Sequence, residues 1–158
     1  MAVAEVEEYF RQKGIPNRIL LLNESSATVP LAAQALGVEP EHIAKSLALR
    51  QKESVAVLVV CGTARIDNRK YKDAFGCKAV MLSLEDTLAA TGHPVGGVCP
   101  FGLPVGVKVY LDESLRRFAS VYPAAGSGNS AVEFTPDDLV AATDGEWVDV
   151  TQAVEAVG

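Results

Sequence analysis

The chain has 158 residues, 49% hydrophobic and 22% charged, with 20 acidic against 14 basic side chains and a net charge of −6. That length holds one domain with a proper core, and the apolar content is too high for a disordered chain. The acidic balance excludes bulk, sequence-independent nucleic-acid binding, which needs a positive surface, while leaving room for a local basic patch.

In chain order, Val6, Tyr9 and Phe10 recur at helical spacing, and Glu5, Glu7 and Glu8 sit where a helix dipole favours them. A helix is therefore expected over 4–13, ended by Gly14 and Pro16. A short strand at 18–22 precedes Ser25-Ser26-Ala27-Thr28, which caps a second helix over 29–36 closed by Gly37. Residues 43–50 alternate with period two, so Lys45 shares a face with Ile43, Leu47 and Leu49. A four-residue turn leads to 55–61, an almost continuous apolar run that reads as a strand buried on both faces. A helix over 68–75 follows, stopped by Gly76, within the most basic stretch of the chain: Arg65, Arg69, Lys70, Lys72 and Lys78. Further expected elements are a strand at 78–82, a helix at 84–90 capped by Ser83, strands at 105–111, 118–122 and 130–134, a turn at 112–115, a helix opened by Thr135-Pro136, and a last strand at 147–150. Strands outnumber helices and most connections are short. The expected fold is α+β: a mixed, strongly curved, mainly antiparallel sheet or partial barrel with peripheral helices, one domain over 1–158.

No apolar run reaches the roughly 20 residues of a membrane span. The acidic start, M-A-V-A-E-V-E-E-Y-F, lacks the basic and apolar regions of a signal peptide, so the expected location is the cytoplasm. Cys61, Cys77 and Cys99 are odd in number and widely spaced, which disfavours a disulfide framework or zinc site. Neither histidine has a metal-spaced partner, no Ser/His/Asp set can be assembled, and the glycine motifs of nucleotide-binding loops are missing. No metal or cofactor is expected.

Two loops and one lysine remain. Thr91 to Gly102, T-G-H-P-V-G-G-V-C-P-F-G, packs four glycines and two prolines into twelve positions. Glycine permits close approach of another group to the main chain, and proline fixes its shape. Such a loop reads either as a tight connection or as a binding wall of backbone N–H groups suited to a developing oxyanion. Residues 123–129, P-A-A-G-S-G-N, form a second glycine-rich loop. Lys45, on an aliphatic strand face, either snorkels to the sheet edge or points into a cleft, where it can hold an anion or carbonyl.

In order and spacing, T-V-P-L-A-A-Q-A-L-G-V at 28–38, K-S-L at 45–47, T-G-x-x-V-G-G-V-x-P-x-G at 91–102, the strand ending at Asp112, Tyr-x-x-x-G at 122–126 and A-V-E-F at 131–134 resemble the YbaK/EbsC (ProX-like) family. These are free-standing relatives of the editing domain inserted in bacterial prolyl-tRNA synthetase. The resemblance implies trans-editing: hydrolysis of the ester joining a wrong amino acid, such as alanine or cysteine, to proline tRNA. It implies Lys45, Gly96 and Gly97 as catalytic positions, and Thr28, Ser46, Val98, Pro100, Gly126, Ser127, Gly128 and Asn129 as substrate-binding ones. Where the cysteinyl-tRNA deacylases have an aspartate before I-E-L, Ala131 stands here, and Gly128-Asn129 stands where the alanine-editing subgroup has a histidine. The amino-acid specificity is thus open. The implied partners are aminoacyl-tRNA, met by Arg65, Arg69 and Lys70 with Arg116 and Arg117 nearby, and a synthetase or elongation factor that supplies further affinity. Two other readings fit the same pocket: a non-catalytic module recruiting tRNA, a synthetase or a small ligand, and a hydrolase of small acyl esters.

Overall fold

Two adjacent strands organise the molecule, as the period-two pattern and the apolar run require. In the computed structural model, which describes residues 2–152, β2 (Ile43–Arg50) and β3 (Val55–Cys61) pair antiparallel along their whole length, Ala44 opposite Cys61 through Arg50 opposite Val55. Before them come α1 (Ala2–Lys13), β1 (Leu20–Leu21) and α2 (Val29–Leu36); after them α3 (Asn68–Phe75), β4 (Val80–Met81), α4 (Leu84–Thr91) and β5 (Lys108–Asp112). A 3-10 turn at Glu113–Arg117 leads to β6 (Tyr122–Pro123), β7 (Ser130–Ala131), α5 (Pro136–Thr143) and β8 (Glu146–Val148). Thr28, Ser83 and Thr135 cap their helices as expected, each accepting a first-turn N–H, and Gly37 and Gly76 close theirs in the left-handed region; Asp67 and Gly92 add a further cap and a further stop.

The fold is mixed α+β, with one sheet ordered β4-β2-β3-β5-β8, β6 also paired to β2, and a separate β1–β7 ribbon. Two expectations are corrected. The sheet is not mainly antiparallel, because β3–β5, β5–β8 and β2–β6 are all parallel. The chain leaves β3, crosses through α3 and α4, and returns to lay β5 alongside β3, so sequence neighbours are not sheet neighbours. Nor does the sheet close on itself: β8 ends one edge and β4 and β6 share the other, so the partial barrel is replaced by an open sheet. The strands expected at 118–122 and 130–134 shrink to β6 and β7, their segments joined by a Val121–Phe134 bridge and by Val132 N donating to the Pro123 carbonyl, and the turn at 112–115 is helical.

One face of the sheet, through Val57, Val59, Val109 and Leu111, packs on Val6 and Phe10 of α1, Cys99 and Phe101 of the glycine-rich loop, and Leu139 of α5. The other face, through Leu49, Leu58 and Val60, packs on Tyr71 of α3 and on Val150. Side-chain alternation along β3 produces both layers, which is why the run is apolar throughout. Among the described residues no helix is long and apolar enough to cross a membrane.

Asp112, fully buried at the end of β5, accepts from Ser114 N (2.9 Å), Val150 N (2.7 Å) and Thr151 Oγ1 (2.7 Å). It thus ties β5, the 3-10 turn and the chain beyond β8 together. Asp112→Ala strands three buried donors and should lower the unfolding free energy by about 3 kcal/mol or more. Urea denaturation measures this, and a loss below about 1 kcal/mol would show the tie to be dispensable.

Candidate functional site

The outer edge of β2 is only partly covered. β6 pairs with it at Ile43 and Ala44, β4 pairs at Leu49 and Arg50, and Leu82 N donates to the Ala48 carbonyl at 3.1 Å. Between them Lys45 to Leu47 have no strand neighbour on that side. A cleft of about 450 Å³ opens on this window. Its walls are Thr28 and Val29 at the start of α2, the β2 segment from Ala44 to Ala48, Thr87 of α4, Gly96 and Val98 of the glycine-rich loop, and Ala124, Ser130 and Ala131. Among the described residues lining it there is no Asp, Glu, His or Cys.

Lys45 and Ser46 border the same cleft from opposite faces of β2. The Lys45 ammonium donates to the Ala64 carbonyl at 3.2 Å. Burial holds its pKa below the ordinary lysine range; the nearby Cys61 sulfur opposes this shift and the Arg65 guanidinium adds to it. The Ser46 hydroxyl is buried in the cleft wall with no hydrogen-bond partner. Thr28 stands at the mouth, its hydroxyl accepting from Leu31 N at 3.4 Å as the cap of α2.

The two glycine-rich loops meet main chain to main chain. A Cβ on Gly97 would lie 2.6 Å from Ser127 N and 2.8 Å from the Gly126 carbonyl carbon, so only glycine fits there. Gly96 has φ +93° and faces Ala27. The roles of four groups of residues differ from those expected. Gly97 is buried and its N–H donates to the Pro94 carbonyl at 2.9 Å, so it is spent on the turn and not free for an oxyanion. Pro100 is buried behind the loop and does not line the cleft. Gly126 to Asn129 also stand outside the lining: the Gly128 carbonyl accepts from Ser26 N, Asn129 Nδ2 donates to the Leu22 carbonyl, and the Ser127 hydroxyl donates to Asn129 Oδ1. This loop props the others, and Ser130, absent from the expected set, pins it by accepting from Ala125 N and Ser127 N at 3.2 Å each. Lys70 is occupied as well, donating to Asp149 Oδ1 and the Thr151 carbonyl, whereas Arg65 and Arg69 are exposed without an ion-pair partner among the described residues. Arg116 lies over the Trp147 ring and pairs with Glu113.

His93 carries a role that the sequence did not disclose. It is fully buried, and its Nε2 donates to the Phe101 carbonyl at 2.7 Å, clasping the ends of the glycine-rich loop. That bond fixes the tautomer and leaves Nδ1 as a buried acceptor without a partner. Burial lowers the pKa, with the Phe101 carbonyl and Glu5 opposing. Cys99, beside it, is pushed up to about 12 by burial, a thiol with no nucleophilic role. A lone histidine flanked by Gly92 and Pro94 inside a loop was the only signal available.

With this geometry in view, the aminoacyl-tRNA editing domain family matches residues 23–142. The chain belongs to that family. It is 46% identical over 152 residues to the protein YwhH of Bacillus subtilis, covering 95% of this chain and 97% of that one. It is 30% identical over 131 residues to the "Putative Cys-tRNA(Pro)/Cys-tRNA(Cys) deacylase EbsC" of Enterococcus faecalis, covering 82% and 80% of the two chains. A solved structure described as "a putative trans-editing enzyme for prolyl tRNA synthetase" superposes with a TM-score of 0.88 at 28% identity, over 96% of this chain and 98% of the other. The resemblance to the YbaK/EbsC family, carried by motifs along nearly the whole sequence, is thereby established.

Two expectations for this editing domain follow. Gly97→Ala should cost about 1–3 kcal/mol by driving the loops apart, and should reduce ligand binding in the cleft; a melt and a titration unchanged from wild type would contradict the close approach. His93 has a folded pKa below its ordinary 6.5, so the unfolded chain binds more protons as pH falls below that value. Stability should therefore be fully present above about pH 6.5 and fall as pH drops from there to the folded pKa. Comparing melts of wild type and His93→Gln, whose amide keeps a donor toward Phe101, isolates this slope; identical slopes would remove His93 as its cause.

Proposed function

We propose that the protein hydrolyses the ester of mischarged aminoacyl-tRNA in trans. The observation that carries this reading is the cleft on the open edge of β2, walled by main chain from the segment before α2, the glycine-rich loop and β2 itself. Ester hydrolysis requires a positioned water and donors facing the developing oxyanion, and preorganised backbone N–H groups meet the second need without a side-chain base. The water oxygen adds to the acyl carbon, the bond from that carbon to the ribose oxygen breaks, and the water's proton ends on the ribose hydroxyl. Free amino acid and intact tRNA are the products.

In this reading Lys45 holds the tRNA terminus and Gly96 with Val98 forms the wall against the ester. Gly97 and Gly126 to Asn129 keep that wall in place rather than touching the substrate. Arg65 and Arg69 receive the acceptor stem, and a synthetase or elongation factor supplies the affinity that an acidic protein lacks. The names of the relatives, which refer to Cys-tRNA(Pro), Cys-tRNA(Cys) and prolyl-tRNA synthetase, favour a small amino acid such as cysteine or alanine on proline tRNA. The work would be done in the cytoplasm, where charged tRNA is found.

The lack of an acidic, histidine or thiol side chain along the described lining favours one rival, a module that binds without reacting. A panel of mischarged tRNAs separates the two. We expect amino acid to be released from at least one member, with Lys45→Ala at least tenfold slower. Arg65→Glu with Arg69→Glu should raise KM and leave a small acyl ester unaffected. No release from any member, with tRNA still bound, would leave only the binding module.

A further inference from the structure

Hydrogen bonds at both ends of the β2–β3 ladder fix which way each main-chain group of β2 points. Gly62 N donates to the Ile43 carbonyl and Gln51 N to the Ser54 carbonyl, so Ile43 and Gln51 occupy hydrogen-bonded pairs in this register. Such pairs alternate, which turns Lys45, Leu47 and Leu49 toward β3 and Ser46 away from it. The Ser46 N–H and C=O therefore point outward, into the window that β6 and β4 leave uncovered. The unpartnered Ser46 hydroxyl lies buried beside them. Three polar groups of one residue thus face a cleft whose described lining offers no carboxylate to a cation.

We propose that the aminoacyl group of the substrate docks as a single-residue rung on β2 opposite Ser46. Its α-ammonium donates to the Ser46 carbonyl, and its acyl carbonyl accepts from the Ser46 N–H. An aminoacyl ester carries a donor and an acceptor on either side of one Cα, as a residue of an antiparallel partner strand does, so both bonds form at once. The window, Lys45 to Leu47, spans roughly 10 Å at about 3.3 Å per residue, room for one amino acid and not for a peptide strand. Opposite residues of an antiparallel pair share a face. The substrate side chain therefore lies on the Ser46 face, beside the small buried residues Ala44 and Ala48 and the Ser46 hydroxyl. Main chain that fails to pair with another strand is the recognition element here, and it reads the free amino group that every aminoacyl-tRNA carries and an N-blocked one lacks.

The proposal rests on the deacylase reading, and the test separates the two. Stable amide analogues of the tRNA terminus, 3′-alanylamino-adenosine and its 3′-propionylamino counterpart without the amino group, are titrated into the ¹⁵N-labelled protein. The Ser46 amide resonance should shift saturably with the alanyl compound, and the propionyl compound should bind at least tenfold more weakly, as expected for loss of a charge-assisted hydrogen bond. In parallel, alanyl- and propionyl-tRNA are hydrolysed, each rate divided by its hydroxide-catalysed rate in the same buffer; the alanyl ratio should exceed the propionyl one at least tenfold. Ser46→Pro removes the outward N–H without touching the β2–β3 ladder and should abolish the Ser46-side binding while the β3 amide resonances stay in place. Equal affinities for the two analogues, or binding that leaves the Ser46 amide unmoved, would overturn the rung. Saturable binding at Ser46 with no hydrolysis of any aminoacyl-tRNA would keep the rung and overturn the deacylase.

Discussion

The interruption in the outer edge of β2 is the constraint on which the rest of the structure turns. An unpaired strand edge is ordinarily a liability, because exposed N–H and C=O groups invite pairing with another chain. Here β6 covers one end and β4 the other, each pairing with β2 at two residues, and the opening between them is no wider than an amino acid. The chain beside the opening, Val98, Ile43 and Ala131, is apolar. Unsatisfied backbone in such surroundings is costly, and that cost is what a ligand relieves.

Everything around the opening is held by main-chain contacts rather than by long side chains. Gly97 lets one loop lie directly on the next, Ser130 pins the second loop from within, and Ser26 N joins the segment before α2 to the Gly128 carbonyl. Walls built in this way vary little in shape, because each contact is fixed by backbone geometry. Chemistry that needs positioned donors more than a titrating side chain is suited to such a frame.

Much of the frame could be read along the chain. The caps at Thr28, Ser83 and Thr135, the β2–β3 hairpin, the double-sided burial of β3 and the two glycine-rich loops all follow from local spacing. Strand direction did not, since periodicity is blind to whether a chain returns parallel or antiparallel, and β5 came back parallel to β3. The site was legible as a set of places but not as a set of roles. Gly97, expected in the catalytic wall, closes a turn with its N–H; Gly126 to Asn129, expected as substrate contacts, brace; Lys70, expected to meet tRNA, holds Asp149. His93 went the other way, because a clasp is defined by what surrounds it in space, and the orphan state of the Ser46 hydroxyl is visible only there too, although Ser46 itself was among the expected positions.

The stretch matched by the family begins at residue 23 and ends at 142, but the glycine-rich loop is anchored beyond those limits as well as within them. Phe101 stacks edge-on against Phe10 of α1, with ring centroids 4.9 Å apart, and both pack on Phe134. Asp112 reaches past the other limit to Val150 and Thr151. The packing that holds the loop and the buried aspartate thus runs past the matched segment at both ends, and a graft of residues 23–142 into another protein would have to replace α1 with an aromatic surface of its own.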